Sequence, residues 1–216
     1  MLATLSPDES RVLGTLVEKA QTTPAQYPLS LNALVNGVNQ KSNRWPVVTI
    51  GEEAALRSLD TLRAKGFVRE VSLAGSRVEK FRHVAREKLE VSTAELVILA
   101  ELLLRGPQTL GELRGRASRM HPLDSLEATE ALLAGLRSRE DPLVRELAPM
   151  PGSRAPRWVQ LLSPTLHALD APAAPDRDDS HSGHDDGTRI DALAALEARV
   201  HVLEESLEAL RRSLGS

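Results

Sequence analysis

Phe67-Val-Arg-Glu70, followed by Gly75-Ser-Arg77 and Lys80-Phe81, has a second copy in the chain: Leu143-Val-Arg-Glu146, followed by Gly152-Ser-Arg154 and Arg157-Trp158. Two short runs rich in strand-forming residues around a Gly-Ser turn read as a β-hairpin. A hairpin written twice calls for a search upstream, where the rest of the unit should also be duplicated.

The search succeeds. Ser6-Pro-Asp-Glu9 with Val12, Leu13 and Leu16 is matched by Ser92-Thr-Ala-Glu95 with Ile98, Leu99 and Leu102. Each start has Ser at the N-cap and Glu three residues on, the reciprocal capping box that satisfies two orphan amides of a helix N-terminus. A second helix follows Pro28-Leu-Ser30-Leu31 with Leu34 in one copy and Pro107-Gln-Thr109-Leu110 with Leu113 in the other, with Ser30 and Thr109 as N-caps. A third carries Leu56, Leu59 and Leu62 in the first copy and Leu132, Leu133 and Leu136 in the second, the spacing of a buried stripe. In the first copy Thr49, with Glu52 three residues later, predicts where that helix starts. Helix, helix, helix, hairpin is the plan of the winged helix-turn-helix. The reading is therefore a mainly α fold with small β-hairpins (α+β), built as winged-helix domain 1 over residues 1–90 and winged-helix domain 2 over residues 91–165.

The first copy has a polar turn that the second lacks, Asn39-Gln-Lys-Ser-Asn-Arg44, followed by Trp45-Pro-Val47. Two physical readings stand side by side. Next to a recognition helix, Asn39, Gln40 and Asn43 suit adenine edges, while Lys41 and Arg44 suit phosphate or guanine. Alternatively, the amides cap the second helix and tie the turn to the neighbouring module, as Asn and Gln do in irregular backbone.

The stretch from Tyr27 through Leu31-Asn-Ala-Leu34 to Val47 resembles the signature of the YceH family of uncharacterised bacterial proteins, whose usual form is close to Leu-Asn-Ala-Leu followed by Cys-Asn-Gln-Lys-Ser-Asn-Arg-Asp-Pro-Val. The resemblance continues through Glu101-Leu-Leu-Leu-Arg-Gly-Pro-Gln-Thr-Leu-Gly-Glu-Leu-Arg114 and covers about residues 5–163. It implies a tandem winged-helix fold and supplies no established activity or substrate. Val38 stands where that family commonly has Cys, which argues against thiol chemistry, and Trp45 where it commonly has Asp, which removes a charge beside Arg44.

Charge makes the two halves unequal. The net value of −3 hides a segment, residues 166–216, with 5 Lys/Arg against 11 Asp/Glu. Residues 1–90 carry 13 Lys/Arg against 10 Asp/Glu, and residues 91–165 carry 9 of each, so the first module is the better partner for a polyanion. Arg57 on its third helix, with Arg77, Lys80 and Arg82 on its hairpin, extends the candidate double-stranded DNA contact, although Glu52 and Glu53 open that helix unfavourably. In the second copy the corresponding helix holds Asp124, Glu127 and Glu130, which reads as a packing or protein-contact module. The two function classes are thus a DNA-binding, transcription-regulator-like protein and a protein-interaction scaffold.

Residues 166–188 read as an acidic linker, almost without large apolar side chains, in which His181 and His184 have no preformed geometry for a metal. Over residues 189–216, Leu193, Leu196, Val200, Leu203, Leu207, Leu210 and Leu214 alternate in steps of three and four, the a/d pattern of a coiled-coil-like helix that calls for self-association or another protein partner. Aromatics make up only 2% of the chain, which speaks against a stacking surface for single strands. With no Cys, disulfides and thiolate zinc sites are impossible. No phosphate loop, Ser-His-Asp pattern or His/carboxylate pair is visible, so the chain reads as a non-enzyme without cofactor or metal. The N-terminus shows no signal peptide and no apolar run reaches membrane-spanning length, so the expectation is a cytoplasmic protein without membrane association.

Overall fold

The expected cap opens the chain: Glu9 N–H donates to Ser6 Oγ (3.2 Å), Ser6 N–H donates to Glu9 Oε2 (2.8 Å), and α1 (Pro7–Thr22) runs from there. In the computed structural model, which describes residues 4–72 and 78–166, the first copy continues through β1 (Leu29–Ser30), α2 (Leu31–Val38), α3 (Glu52–Ala64), β2 (Val68–Val71) and β3 (Lys80–His83). A short helix, α4 (Ala85–Leu89), leads to the second copy. There Ser92 and Glu95 repeat the cap at 3.2 and 2.8 Å and start α5 (Thr93–Arg105). The remaining elements are β4 (Gln108–Thr109), α6 (Leu110–Ala117), α7 (Leu126–Arg137), β5 (Val144–Leu147) and β6 (Arg157–Gln160). Arg77, the acidic stretch from residue 167 and the leucine stripe from Leu193 to Leu214 lie outside the described residues.

The fold is mainly helical with two small antiparallel sheets, ordered β1-β3-β2 and β4-β6-β5. Each hairpin expected from the repeat is present, and each gains a third strand. Ser30 and Thr109 do cap α2 and α6, and an N-cap residue sits in the extended region of backbone space (ψ 164° and 162°). That conformation lets Leu29–Ser30 pair with Phe81 and Lys80, and Gln108–Thr109 with Trp158 and Arg157.

Two local expectations are corrected. Helix α3 starts at Glu52 after Gly51, not at Thr49, because the Asn39 side chain takes both the N–H and the C=O of Ile50. Its inward positions are Ala55, Leu59 and Leu62, whereas Leu56 is 40% exposed, since the helix rotation that buries Ala55 turns its neighbour outward.

The core is continuous across the two copies. Leu13, Leu16 and Val17 of α1 join Leu99, Leu102 and Leu103 of α5, and α1 packs more extensively on α5 than on any other helix. Gly14 permits that approach: a Cβ there would lie 2.9 Å from Leu104 Cγ and 3.3 Å from Leu103 Cβ. Leu5 N–H donates to Leu162 O at 2.7 Å, so the beginning of the first copy is bonded to the end of the second. All described residues belong to one compact unit spanning Met1–Ala173. Among them no helix is long and apolar enough to cross a membrane.

Candidate nucleic-acid interface

The polar turn leaves α2 at Asn39, whose side-chain amide donates to Ile50 O (2.9 Å) and whose Oδ1 accepts from Ile50 N–H (2.8 Å). Both ends of the amide are consumed in closing the loop from Gln40 to Thr49. Arg44 turns into the fold. It is 5% exposed and pairs with Glu18 of α1, with Nη1 also donating to Asn43 O (2.8 Å) and Nη2 to Gly37 O (3.0 Å) and Gln40 Oε1 (3.2 Å). Asn43, in the left-handed region at φ 58°, accepts from Arg105 of α5 through Oδ1. Asn39 and Arg44 are therefore engaged inside the fold, and Gln40 and Asn43 each give their side-chain oxygen to an arginine, an arrangement in keeping with the structural reading of the turn. Of that hexapeptide's candidate residues, Lys41 alone is exposed with no ion pair among the described residues.

What the turn ties together is a charge cluster shared by the two copies. Arg119, just after α6, bridges Glu18 Oε1 (2.6 Å) and Glu101 Oε2 (3.0 Å), and Arg105 reaches Glu101 Oε1 at 3.1 Å. Glu18 and Glu101 side chains are 2% and 0% exposed. Burial opposes the charged form of Glu18, but the hydrogen bonds and charge of Arg44, with those of Arg119, outweigh it and hold the carboxyl below its usual range. Burial likewise works against charge on Arg119, and Glu101 and Glu18 overcome it and raise its pKa. The backbone joins in: Trp45 N–H donates to Leu104 O (2.8 Å), and Arg11 Nη2 donates to Pro46 O (2.5 Å). Residues 44–46 are pinned to both first helices, which leaves Trp45 and Val47 facing outward at 46% and 54% exposure.

Glu18, Glu101 and Arg105 escaped the sequence reading. The available signal was a Glu in the middle of the apolar run from Leu96 to Leu104, which has to find a cation once that helix is buried on all sides.

The exposed side of α3 is electrically quiet. Arg57 pairs with Glu53 one turn earlier, and Arg63 pairs with Glu70 (3.0 Å) and Asp60 (3.4 Å), while Glu52 stands exposed at the first turn. Free cations gather instead on the sheet. Arg69 and Arg82 are register partners on β2 and β3, and both are exposed. Lys80, two residues before Arg82, shares its face and is half-buried. None of the three has an ion pair among the described residues. Lys80 and Arg82 were named from sequence; Arg69 was not, although its alternation with the inward Val68 marks it as an outward strand position. Arg77 lies outside the described residues.

Among the described residues no group of three His, Asp or Glu could hold a metal. Burial pushes the His83 imidazole down to about 4; it packs beside Tyr27 with ring centroids 6.0 Å apart, and its backbone N–H donates to the Tyr27 hydroxyl (2.6 Å).

The fold and this cluster define a class: a duplicated α/β protein whose halves are joined through a shared core and buried ion pairs. The chain belongs to the DUF480/UPF0502 family of uncharacterised bacterial proteins. The profile described as "Protein of unknown function, DUF480" matches residues 5–153. A UPF0502 protein of Citrifermentans bemidjiense is 55% identical over 173 residues, which are 79% of this chain and 80% of the relative. UPF0502 proteins of Geobacter sulfurreducens (46% over 202 residues, 93% and 87% of the two chains) and Dechloromonas aromatica (43% over 213 residues, 97% and 94%) extend the similarity towards the C-terminus.

Proposed function

We propose that this chain is a tandem winged-helix protein of the kind implied by the YceH-like signature, and that its first half binds double-stranded DNA. The observation that carries the reading is the set of cations Arg69, Lys80 and Arg82, unpaired among the described residues, on the sheet of the half with the basic excess. A duplex carries one charge per about 1.7 Å of axis, so a small cluster of free cations on an open face gains affinity by releasing counterions. The role is binding, not catalysis. Titration of the full chain against a mixed-sequence duplex over a range of salt concentrations tests it. Affinity that falls steeply with salt is expected, and no binding at low salt would overturn it.

A second reading, a protein-contact scaffold, has its own observation. Trp45 and Val47 face outward from a backbone bonded to α1 and α5, and Leu56 is exposed on α3, whose exposed cations are all paired. Exposed aromatic anchors on a preorganised backbone are the usual centre of a protein interface. This reading expects no duplex binding even at low salt.

A further inference from the structure

The sheet of the first half offers a comparison with its own duplicate. Arg69 faces Arg82 across the β2–β3 pair, while the equivalent register of the second sheet places Arg145 opposite Val159. Lys80 is half-buried, whereas its counterpart Arg157 is 9% exposed and Val159 is 1% exposed. The same hairpin therefore exists in a version without facing arginines, so the geometry of the fold does not require them. Like charges directly opposite on neighbouring strands, with Cβ atoms about 5 Å apart, destabilise a sheet. The first half carries that penalty on an exposed face, with no carboxylate to relieve it among the described residues.

The two places where a helix-turn-helix protein would read bases offer few free groups. Asn39 and Arg44 of the turn are engaged internally, Gln40 and Asn43 give their side-chain oxygens to arginines, and every arginine on the exposed side of α3 is paired with a carboxylate. What remains free beside Lys41 is suited to phosphate: two guanidiniums side by side, each able to form a bidentate fork, and an ammonium two residues along the same strand.

We infer that the outer face of the β1-β3-β2 sheet, through Arg69, Arg82 and Lys80, is a docking surface for the phosphate backbone of duplex DNA and holds it without reading sequence. The inference rests on the DNA-binding reading above and narrows it from a module to one face and one ligand chemistry. The strand residues opposite these three, Val68 and Phe81, are buried in the core, so the cationic face can be altered without opening the interior.

The test uses the full chain and two 20-base-pair duplexes of equal composition and scrambled order, with binding followed by fluorescence anisotropy at salt from about 50 to 200 mM, where counterion release dominates. Replacing all three residues (Arg69→Gln, Lys80→Gln, Arg82→Gln) is expected to weaken binding at least about tenfold at the lowest salt and to flatten the log–log salt slope by about 2 to 3, one step of about 0.9 per lost phosphate contact. Arg69→Lys with Arg82→Lys is expected to keep most of that slope, since the charge stays. The two duplexes are expected to bind alike. A triple variant that unfolds at the wild-type denaturant midpoint and binds with an unchanged slope overturns the face while leaving DNA binding intact. A preference above about tenfold for one duplex overturns the sequence-blind mode, because it is on the scale of a base contact. Wild-type protein that binds neither duplex at the lowest salt overturns both this inference and the reading beneath it.

Discussion

Glu18 and Arg44 are separated by 26 residues and meet as a carboxylate–guanidinium pair with side chains 2% and 0% exposed. Arg44 stands at the end of the most distinctive polar run in the sequence, and Glu18 lies one residue before the last turn of α1. Their pairing makes the polar run a strut between the copies: Arg119 and Asn43 carry it on to Glu101 and Arg105 in the second half.

Removing one partner of that pair leaves the other charge buried and uncompensated. Arg44→Ala is expected to destabilise the fold by about 3 to 5 kcal/mol, whereas exchanging both partners for apolar residues of similar volume (Glu18→Met with Arg44→Met) should recover much of the loss. Urea denaturation of the wild type and the two variants measures this. An Arg44→Ala protein with wild-type stability and selectively weakened DNA affinity would contradict the placement of Arg44.

Asn39 offers a sharper chemical test. Its amide both donates to Ile50 O and accepts from Ile50 N–H, and Asp at this position keeps the acceptor but sets a carboxylate oxygen against a carbonyl. Asn39→Asp is expected to lose about 1 to 3 kcal/mol of stability, the scale of a buried polar group left unsatisfied. Equal stability of the two proteins in chemical denaturation would show that the loop does not depend on this clasp.

Much of this architecture was legible because it is written locally. The caps at Ser6/Glu9, Ser92/Glu95, Ser30 and Thr109 depend on residues no more than three apart, and each is found where the spacing puts it. The duplicated hairpin was legible for the same reason. What escaped depends on direction and distance. A run such as Asn39–Arg44 has the same composition whether its side chains face water or a buried Glu18, and nothing near it in sequence reveals that α1 and α5 supply the acids. Leu56 was misread because the stripe passes through Ala55, whose small side chain gives a weak apolar signal.

The crossing of α1 and α5 depends on a missing side chain. With Gly14→Ala, the new Cβ would sit 2.9 Å from Leu104 Cγ and 3.0 Å from Leu104 Cδ2, closer than carbon atoms tolerate. The strain of overpacking outweighs the better helix propensity of Ala, which is about 1 kcal/mol, so a net loss of about 1 to 2 kcal/mol is expected. Thermal melts of Gly14→Ala, and of Gly14→Ala combined with Leu104→Ala, check it: the second change should cost less in the Gly14→Ala background than in the wild type. Strictly additive losses would mean that the two residues are not in contact.

Acid should act on the first half through His83. Burial lowers its pKa from 6.5 to about 4, and its Nδ1 has no hydrogen-bond partner among the described residues, so the folded state holds a neutral ring while the unfolded chain binds a proton between those two values. In that window the unfolded state carries more protons, so stability rises with pH from about 4 to 6.5 and is lost on acidification, by up to about 2 kcal/mol after allowance for partial exposure. Glu18 adds a second acid-sensitive step at lower pH. Its depressed pKa stabilises the fold above the ordinary carboxylate range and stops doing so as pH falls through the folded value. His83→Phe keeps a ring beside Tyr27 and removes the proton site, so its stability is expected to stay nearly flat from pH 6.5 down to the region where carboxylates titrate, while the wild-type curve falls. Parallel curves for the two proteins across that window would rule out His83 as the source of the acid sensitivity.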